Sequence, residues 1–187
     1  MATKKILLAI VILGILGVGV FAYPKKVTKP QQINQESIRQ RDISEIEKFA
    51  NNQDLTVEFA SASQSSYDPA VPVNVYYSGS DQYELDARTG KVIQFGSRDL
   101  PIGSENEKTV DNSSRYKTEE LEAMARRFIA EKAPDVNVDL LTPNHGIKST
   151  NYFFRWENRS KKTTEGYLFI QVGFTQGGTL LNYINAF

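Results

Sequence analysis

The chain's single histidine, His145, lies in the turn-like run Thr142-Pro143-Asn144-His145-Gly146, and imidazole is the side chain most often used to move a proton near neutral pH. A general base also needs a nucleophile and an orienting carboxylate. No G-x-S-x-G elbow presents a serine to it, so His145 reads as a loop histidine. Asp81, Glu84 and Asp86 bring together three carboxylates of the kind calcium accepts. Their spacing is not that of an EF-hand. On a strand, Glu84 and Asp86 share the face opposite Tyr83 and Leu85, as a solvated face requires. The 22 acidic residues offer many pairs for glycoside cleavage, but no spacing selects one. Gly177-Gly178 reads as a hairpin turn, and no phosphate-cradling loop occurs. Without cysteine there is no thiolate metal site, cysteine nucleophile or disulfide framework. The expectation is a chain that is not an enzyme, with no catalytic residue, no metal site and no cofactor.

With 22 basic against 22 acidic side chains in 187 residues, the chain lacks the basic footprint of a nucleic-acid protein. The aromatic-basic string Tyr152 to Trp156 does not offset that, and no nucleic-acid partner is expected. The neutral total hides a division. Ile6 to Tyr23 is a run of eighteen uncharged, mostly apolar residues between Lys4-Lys5 and Pro24-Lys25-Lys26. As a helix at about 1.5 Å per residue it would span ~27 Å, enough for a thin bilayer. Three outcomes stay open: an uncleaved single-pass anchor, which the span length favours, a signal peptide cut after Val20-Phe21-Ala22, or a buried core helix, which the lack of any polar face disfavours. Lysines at both ends leave orientation undecided by the positive-inside rule. With an anchor or a signal peptide alike, the C-terminal region is expected to be extracytoplasmic, at the cell membrane or secreted if the segment is cleaved. Past residue 23, without Lys4 and Lys5, 20 basic face 22 acidic residues.

The elements that would position these residues follow from periodicity. Residues 1–23 form the anchor or signal peptide and 24–36 a stalk containing Lys, Gln and Pro. A helix is expected over Ser37 to Asn51, starting at Ser37 or Ser44. Leu55, Val57 and Phe59 alternate as a strand, and Ser61 to Pro69 reads as a polar loop. Val71, Val73, Val75 and Tyr77 alternate again, with Pro72 marking an edge or a late start. Tyr83, Leu85 and Ala87, then Val92 to Phe95, complete a meander. Gly96 to Tyr116 reads as a linker. Thr118 is the expected N-cap of a helix with Leu121, Met124, Ala125, Phe128 and Ile129 on one stripe, stopped by Pro134. A short strand over Val136 to Leu141, a strand over Asn151 to Glu157, a polar turn to Gly166, and strands Tyr167 to Thr175 and Thr179 to Phe187 complete the pattern.

The hairpin Tyr83-Glu84-Leu85-Asp86-Ala87-Arg88-Thr89-Gly90-Lys91-Val92-Ile93 resembles the closing hairpin of a PepSY domain, with its aromatic, alternating apolar and acidic residues, Thr-Gly turn and short apolar strand. A second copy is similar: a helix Glu119 to Glu131, then Tyr152 to Trp156, then Phe169-Ile170-Gln171-Val172, closed by Gly178 and Leu180 to Tyr183. It departs in having Gln176-Gly177-Gly178 at the turn. The resemblance implies an α+β fold of two PepSY-like modules, each a helix packed on an antiparallel sheet, after an N-terminal transmembrane helix. The first module covers residues 37–96, a linker 97–116 and the second module 117–187. PepSY modules occur in peptidase propeptides and in membrane-anchored bacterial cell-surface proteins, so the resemblance implies regulation of a peptidase.

The two modules differ in the faces of their strands. In the first, Val73, Val75 and Leu85 are expected on one face and Asn74, Glu84 and Asp86 on the other. In the second, Leu168, Ile170, Val172 and Phe174 form an apolar row, yet the opposite row carries Tyr167 and Phe169, and Phe153 and Arg155 oppose Tyr152, Phe154 and Trp156. That second face is either covered by the linker, the other module or another copy, or is a partner-binding patch of Phe153, Tyr167 and Phe169 with Arg155 at its rim. The preferred expectation is a membrane-anchored module that binds a protein partner, a secreted peptidase among them. The alternative is a tandem-domain scaffold in a cell-envelope assembly. Membrane contact is expected through residues 6–23.

Overall fold

The computed structural model describes residues 35–97, 110–148, 151–163 and 166–187. The expected membrane segment, residues 6–23, lies outside them, as do residues 98–109 of the expected linker. No helix among the described residues is long and apolar enough to cross a membrane. Helix α1 (Gln35–Ala50) buries Asp42, Ile46 and Phe49. It ends because Asn51 takes a left-handed conformation (φ 52°), while the Asn52 N–H returns to the Glu47 carbonyl at 3.1 Å. That is the Schellman closure, with asparagine where glycine is more usual. Helix α2 (Thr118–Lys132) buries Leu121, Ala125 and Ile129, on the expected stripe. Its N-cap is Lys117 rather than Thr118. The cap that matters comes from Glu120, whose carboxylate accepts from the Lys117 N–H at 2.8 Å.

The strands are β1 (Glu58–Gln64), β2 (Pro72–Ser78), β3 (Asp81–Asp86), β4 (Val92–Ser97), β5 (Thr142–Pro143), β6 (Gly146–Lys148), β7 (Asn151–Thr163), β8 (Gly166–Thr175) and β9 (Leu180–Asn185). They form one antiparallel sheet in the order β1-β2-β3-β4-β9-β8-β7-β5, with β6 also on β7. The fold is therefore a mixed one of helices and antiparallel sheet, as expected. Residues 58–97 and 142–185 contribute to the same sheet, joined where Gln94, Phe95 and Gly96 pair with Ile184, Tyr183 and Asn182. Both helices contribute to one core, in which Ile46, Phe49, Leu121 and Ile129 meet Tyr83, Leu85, Trp156, Ile170 and Tyr183.

Several expectations are corrected. The alternation at Leu55 and Val57 is not strand; both residues pack against the core from irregular backbone, and the strand begins at Glu58, keeps Phe59 and runs on through Ser61 to Gln64, the first part of the run read as a polar loop. Val136 to Leu141 holds a 3-10 turn, Val138–Leu140, set by the Asn137 side chain accepting from the Asp139 N–H. Strand β7 runs on to Thr163, through what reads as a turn. Val73 and Val75 pair with Asp86 and Glu84, whereas Asn74 and Tyr76 pair with Leu85 and Tyr83. Val73 and Val75 thus lie with the acids on the face away from the helices, and Asn74 faces α1, because both Asn74 and Tyr76 donate to the buried Asp42.

Candidate binding surfaces on the two faces of the sheet

The PepSY-like hairpin turn is built from local hydrogen bonds. The Asp86 carboxylate accepts from the Arg88 N–H at 2.8 Å, the Asp86 carbonyl from the Gly90 N–H at 2.7 Å, and the Thr89 hydroxyl from the Lys91 N–H at 3.3 Å. Gly90 has φ 76°, and a Cβ there would fall 2.5 Å from Nε of Arg41. That guanidinium cannot easily yield. It donates to Asp42 at 2.6 Å and to the Ala87 and Arg88 carbonyls. The Thr-Gly turn is thus a receptor for an arginine of α1. At the second hairpin Gly178 has φ 88° and Tyr116 takes the place of Arg41, its ring 2.7 Å from where a Cβ would lie.

The face away from the helices carries all four residues of the expected patch, but unequally. Phe169 is 5 % exposed. The Arg155 guanidinium carbon stands 3.5 Å above its ring, and Tyr67, in the segment between β1 and β2, meets it edge-on at 5.4 Å between centroids. Tyr167 is 37 % exposed, and Phe153 is half-buried, lying over Gly173, which has no side chain to displace it. Arg155 pairs with the buried Glu157 at 3.1 Å. Hydrogen bonding by Asn144, then the Arg155 and Arg159 charges, holds the Glu157 carboxyl below its ordinary value despite burial. Tyr67 is itself raised above its ordinary phenol value, by burial first and then by Glu84. The face therefore reads as an arginine-aromatic stack strapped by the Ser65–Val71 segment, whose own bond from the Ser65 N–H to the Val71 carbonyl closes it. No periodic signal marks Tyr67 in the sequence, since it sits alone in a Ser- and Pro-containing run.

On the helix side, a cavity of about 270 Å³ opens between the C-terminal ends of α1 and α2, walled by Phe49, Tyr83, Phe95 and Phe128 and rimmed by Asp81, Glu131 and Lys132. Lys132 ties the two helices together by donating to the Lys48 carbonyl at 3.0 Å.

The proton chemistry available elsewhere is limited. His145 stands in the exposed connection between β5 and β6, as expected, where its Nδ1 accepts from the Arg155 N–H at 3.1 Å and one side of its ring packs against Phe154 and Trp156. Glu122 is its carboxylate neighbour, at 3.7 Å from Nε2. With Nδ1 occupied by a backbone donor, the imidazole secures the segment before β6 against β7. Asp86 is committed to Arg88 and Glu84 accepts from Gln82. Among the described residues no three His, Cys, Asp or Glu side chains converge as a metal site.

No protein-family model matches the chain, and no curated protein matches it in sequence. The fold is similar to that of the Bacillus megaterium YpeB C-terminal domain. The TM-score is 0.52 at 8 % identity, over 82 % of this chain and 63 % of that one. The match thus spans less than two thirds of the YpeB chain, and at that identity it is a likeness of fold.

Proposed function

We propose that this chain is a non-enzymatic, extracytoplasmic module, held at the membrane by residues 6–23, that docks a protein partner and restrains a secreted peptidase. On this reading the halves α1 to β4 and α2 to β9 are two PepSY-like modules fused through one sheet. The observation that carries docking is the edge strand β1. All seven of its residues are exposed, among the described residues only its β2 side is paired, and it contains no proline, lysine or arginine. Such an edge offers unpaired backbone groups to an extended segment, and native edges that avoid pairing usually carry those residue types. The register skips Ala60 between Phe59 and Ser61, so proline at Ala60 perturbs the edge strand without removing a paired position. The peptidase comes from the PepSY resemblance.

The test uses the tagged full chain, recovered from its own membranes, beside Ala60→Pro and Tyr167→Ser versions with unchanged circular dichroism. Recovery of an exported peptidase by the wild type, reduced recovery by the variants, and lower peptidase activity when the chain is added are the expected results. A peptidase unaffected by saturating chain would overturn the restraint. The scaffold alternative has Phe169 on its side, because the strap already covers that ring within the chain. It predicts self-association at increasing concentration and no exchange with exported peptidases.

A further inference from the structure

We propose that the β1 edge and the N-terminal half of α1 form one groove, which takes an extended protein segment with an aspartate or glutamate placed beside Phe59 and within reach of Arg39. The inference rests on the docking proposed for β1 and adds the chemistry of what docks there. The two outer edges of the sheet differ. Strands β5 and β6 are two and three residues long and carry Pro143 and Lys148, whereas β1 has seven residues and no proline, lysine or arginine. Its middle, Ala60 to Ser63, has only small side chains. That leaves room on both faces of the edge for the side chains of an added strand.

The face turned to α1 is set by pairing. Phe59 and Ala62 stand opposite Tyr76 and Asn74, which both donate to Asp42 of α1. Glu58, Ser61 and Ser63 pair with Tyr77, Val75 and Val73 and so belong to the other face. Phe59 is 39 % exposed, meets Tyr76 edge-on, and lies under the exposed Arg39 guanidinium, 4.8 Å from its ring centroid. The carboxylates of this part of α1 are engaged elsewhere: Asp42 by Arg41, Asn74 and Tyr76, and Glu36 by Gln40. Among the described residues no carboxylate pairs with Arg39, whose contact is the Phe59 ring. The groove thus presents an arginine steadied by an aromatic ring and lacking an acid of its own. Guanidinium is the side chain best shaped to take a carboxylate through two donors, and arginine and aromatic residues are enriched where proteins dock. A strand added to β1 turns alternate side chains toward α1. One of them lands beside Phe59, where Arg39 selects an acid, and the next on that face lands beside Ala62, where a branched apolar side chain has space.

The full chain in maltoside detergent is titrated with the acetylated, amidated peptide Thr-Val-Thr-Asp-Thr-Val-Thr and with versions carrying asparagine or lysine at the centre, while the backbone amides of residues 58–64 are followed by NMR. Saturable shifts at these amides are expected, with the asparagine peptide binding about threefold and the lysine peptide about tenfold more weakly than the aspartate one. Arg39→Gln, a change at an exposed position, is expected to bring the aspartate and asparagine peptides to one affinity without altering that of the asparagine peptide. Equal affinities for the aspartate and asparagine peptides in the wild type, or an aspartate preference that persists in Arg39→Gln, would overturn this inference and leave docking at β1 standing. Absence of saturable shifts at β1 with every peptide would overturn both.

Discussion

Asp42 is fully buried in α1, yet each of its oxygens is satisfied: Oδ1 by the Arg41 guanidinium and Oδ2 by Asn74 and Tyr76. A buried carboxylate of this kind holds a helix to a sheet only while its partners stay in place. Asp42→Asn is expected to cost about 2–3 kcal/mol, and Tyr76→Phe about 1.5, in urea denaturation. Two other carboxyls, Glu84 and Asp86, share a face of β3 but move in opposite directions. Burial holds Glu84 above its ordinary value, while the hydrogen bond from Arg88 holds Asp86 below. Asp86 therefore contributes stability that is present above its unfolded value, ~4, and is lost as the pH falls through the lower folded value. The Glu84 contribution is present below its unfolded value and is lost as the pH rises through the higher folded one. Stability measured against pH checks both signs. Glu84→Gln raises the unfolding midpoint at pH 7 with a gain that shrinks toward pH 4, and Asp86→Asn lowers it at pH 7 but converges on the wild type in acid.

Among the elements, the strap between β1 and β2 connects the first half of the sheet to Phe169 on β8. Removing its anchor, Tyr67→Ala, is expected to cost about 2 kcal/mol through lost aromatic contact and burial, and to expose Phe169, both measurable by denaturation and by solvent accessibility of that ring. How readily each element is seen in the sequence has a physical basis. Helix α2 is legible because Leu121, Ala125 and Ile129 must fall on one stripe to be buried. The two rows of β8 are legible because their residues alternate without interruption. Strand β1 is not, since EFASASQ is poor in branched and aromatic residues and owes its conformation to pairing with β2. Alternation along β2 and β3 is visible, but which rows share a face depends on register across the Ser78 to Asp81 turn. Of the four residues expected in the patch, Tyr167 is 37 % exposed, while the burial of Phe169 depends on a tyrosine 102 positions earlier, a contact that no local pattern encodes.

For the whole molecule, the seam between β4 and β9 decides how the halves behave. Phe95 and Tyr183 pair across it, and both are buried in the shared core. Halves joined this way are expected to unfold together. The fluorescence of Trp156, the chain's one tryptophan and a fully buried residue of the second half, should lose its native signal at the same urea concentration as the far-ultraviolet circular dichroism of the entire chain. Separate midpoints would mean that the seam does not couple them. In a coupled sheet β1 is one outer strand, and on the proposed reading it is the edge where a partner extends the same structure. The most direct measurement places the photo-crosslinker p-benzoylphenylalanine at Ser61 of the full chain in its own cells. The predicted result is one exported protein with peptidase activity joined to β1, with the adduct lost in the Ala60→Pro background; no adduct from Ser61, or one that persists unchanged with proline at Ala60, would contradict partner docking at this edge.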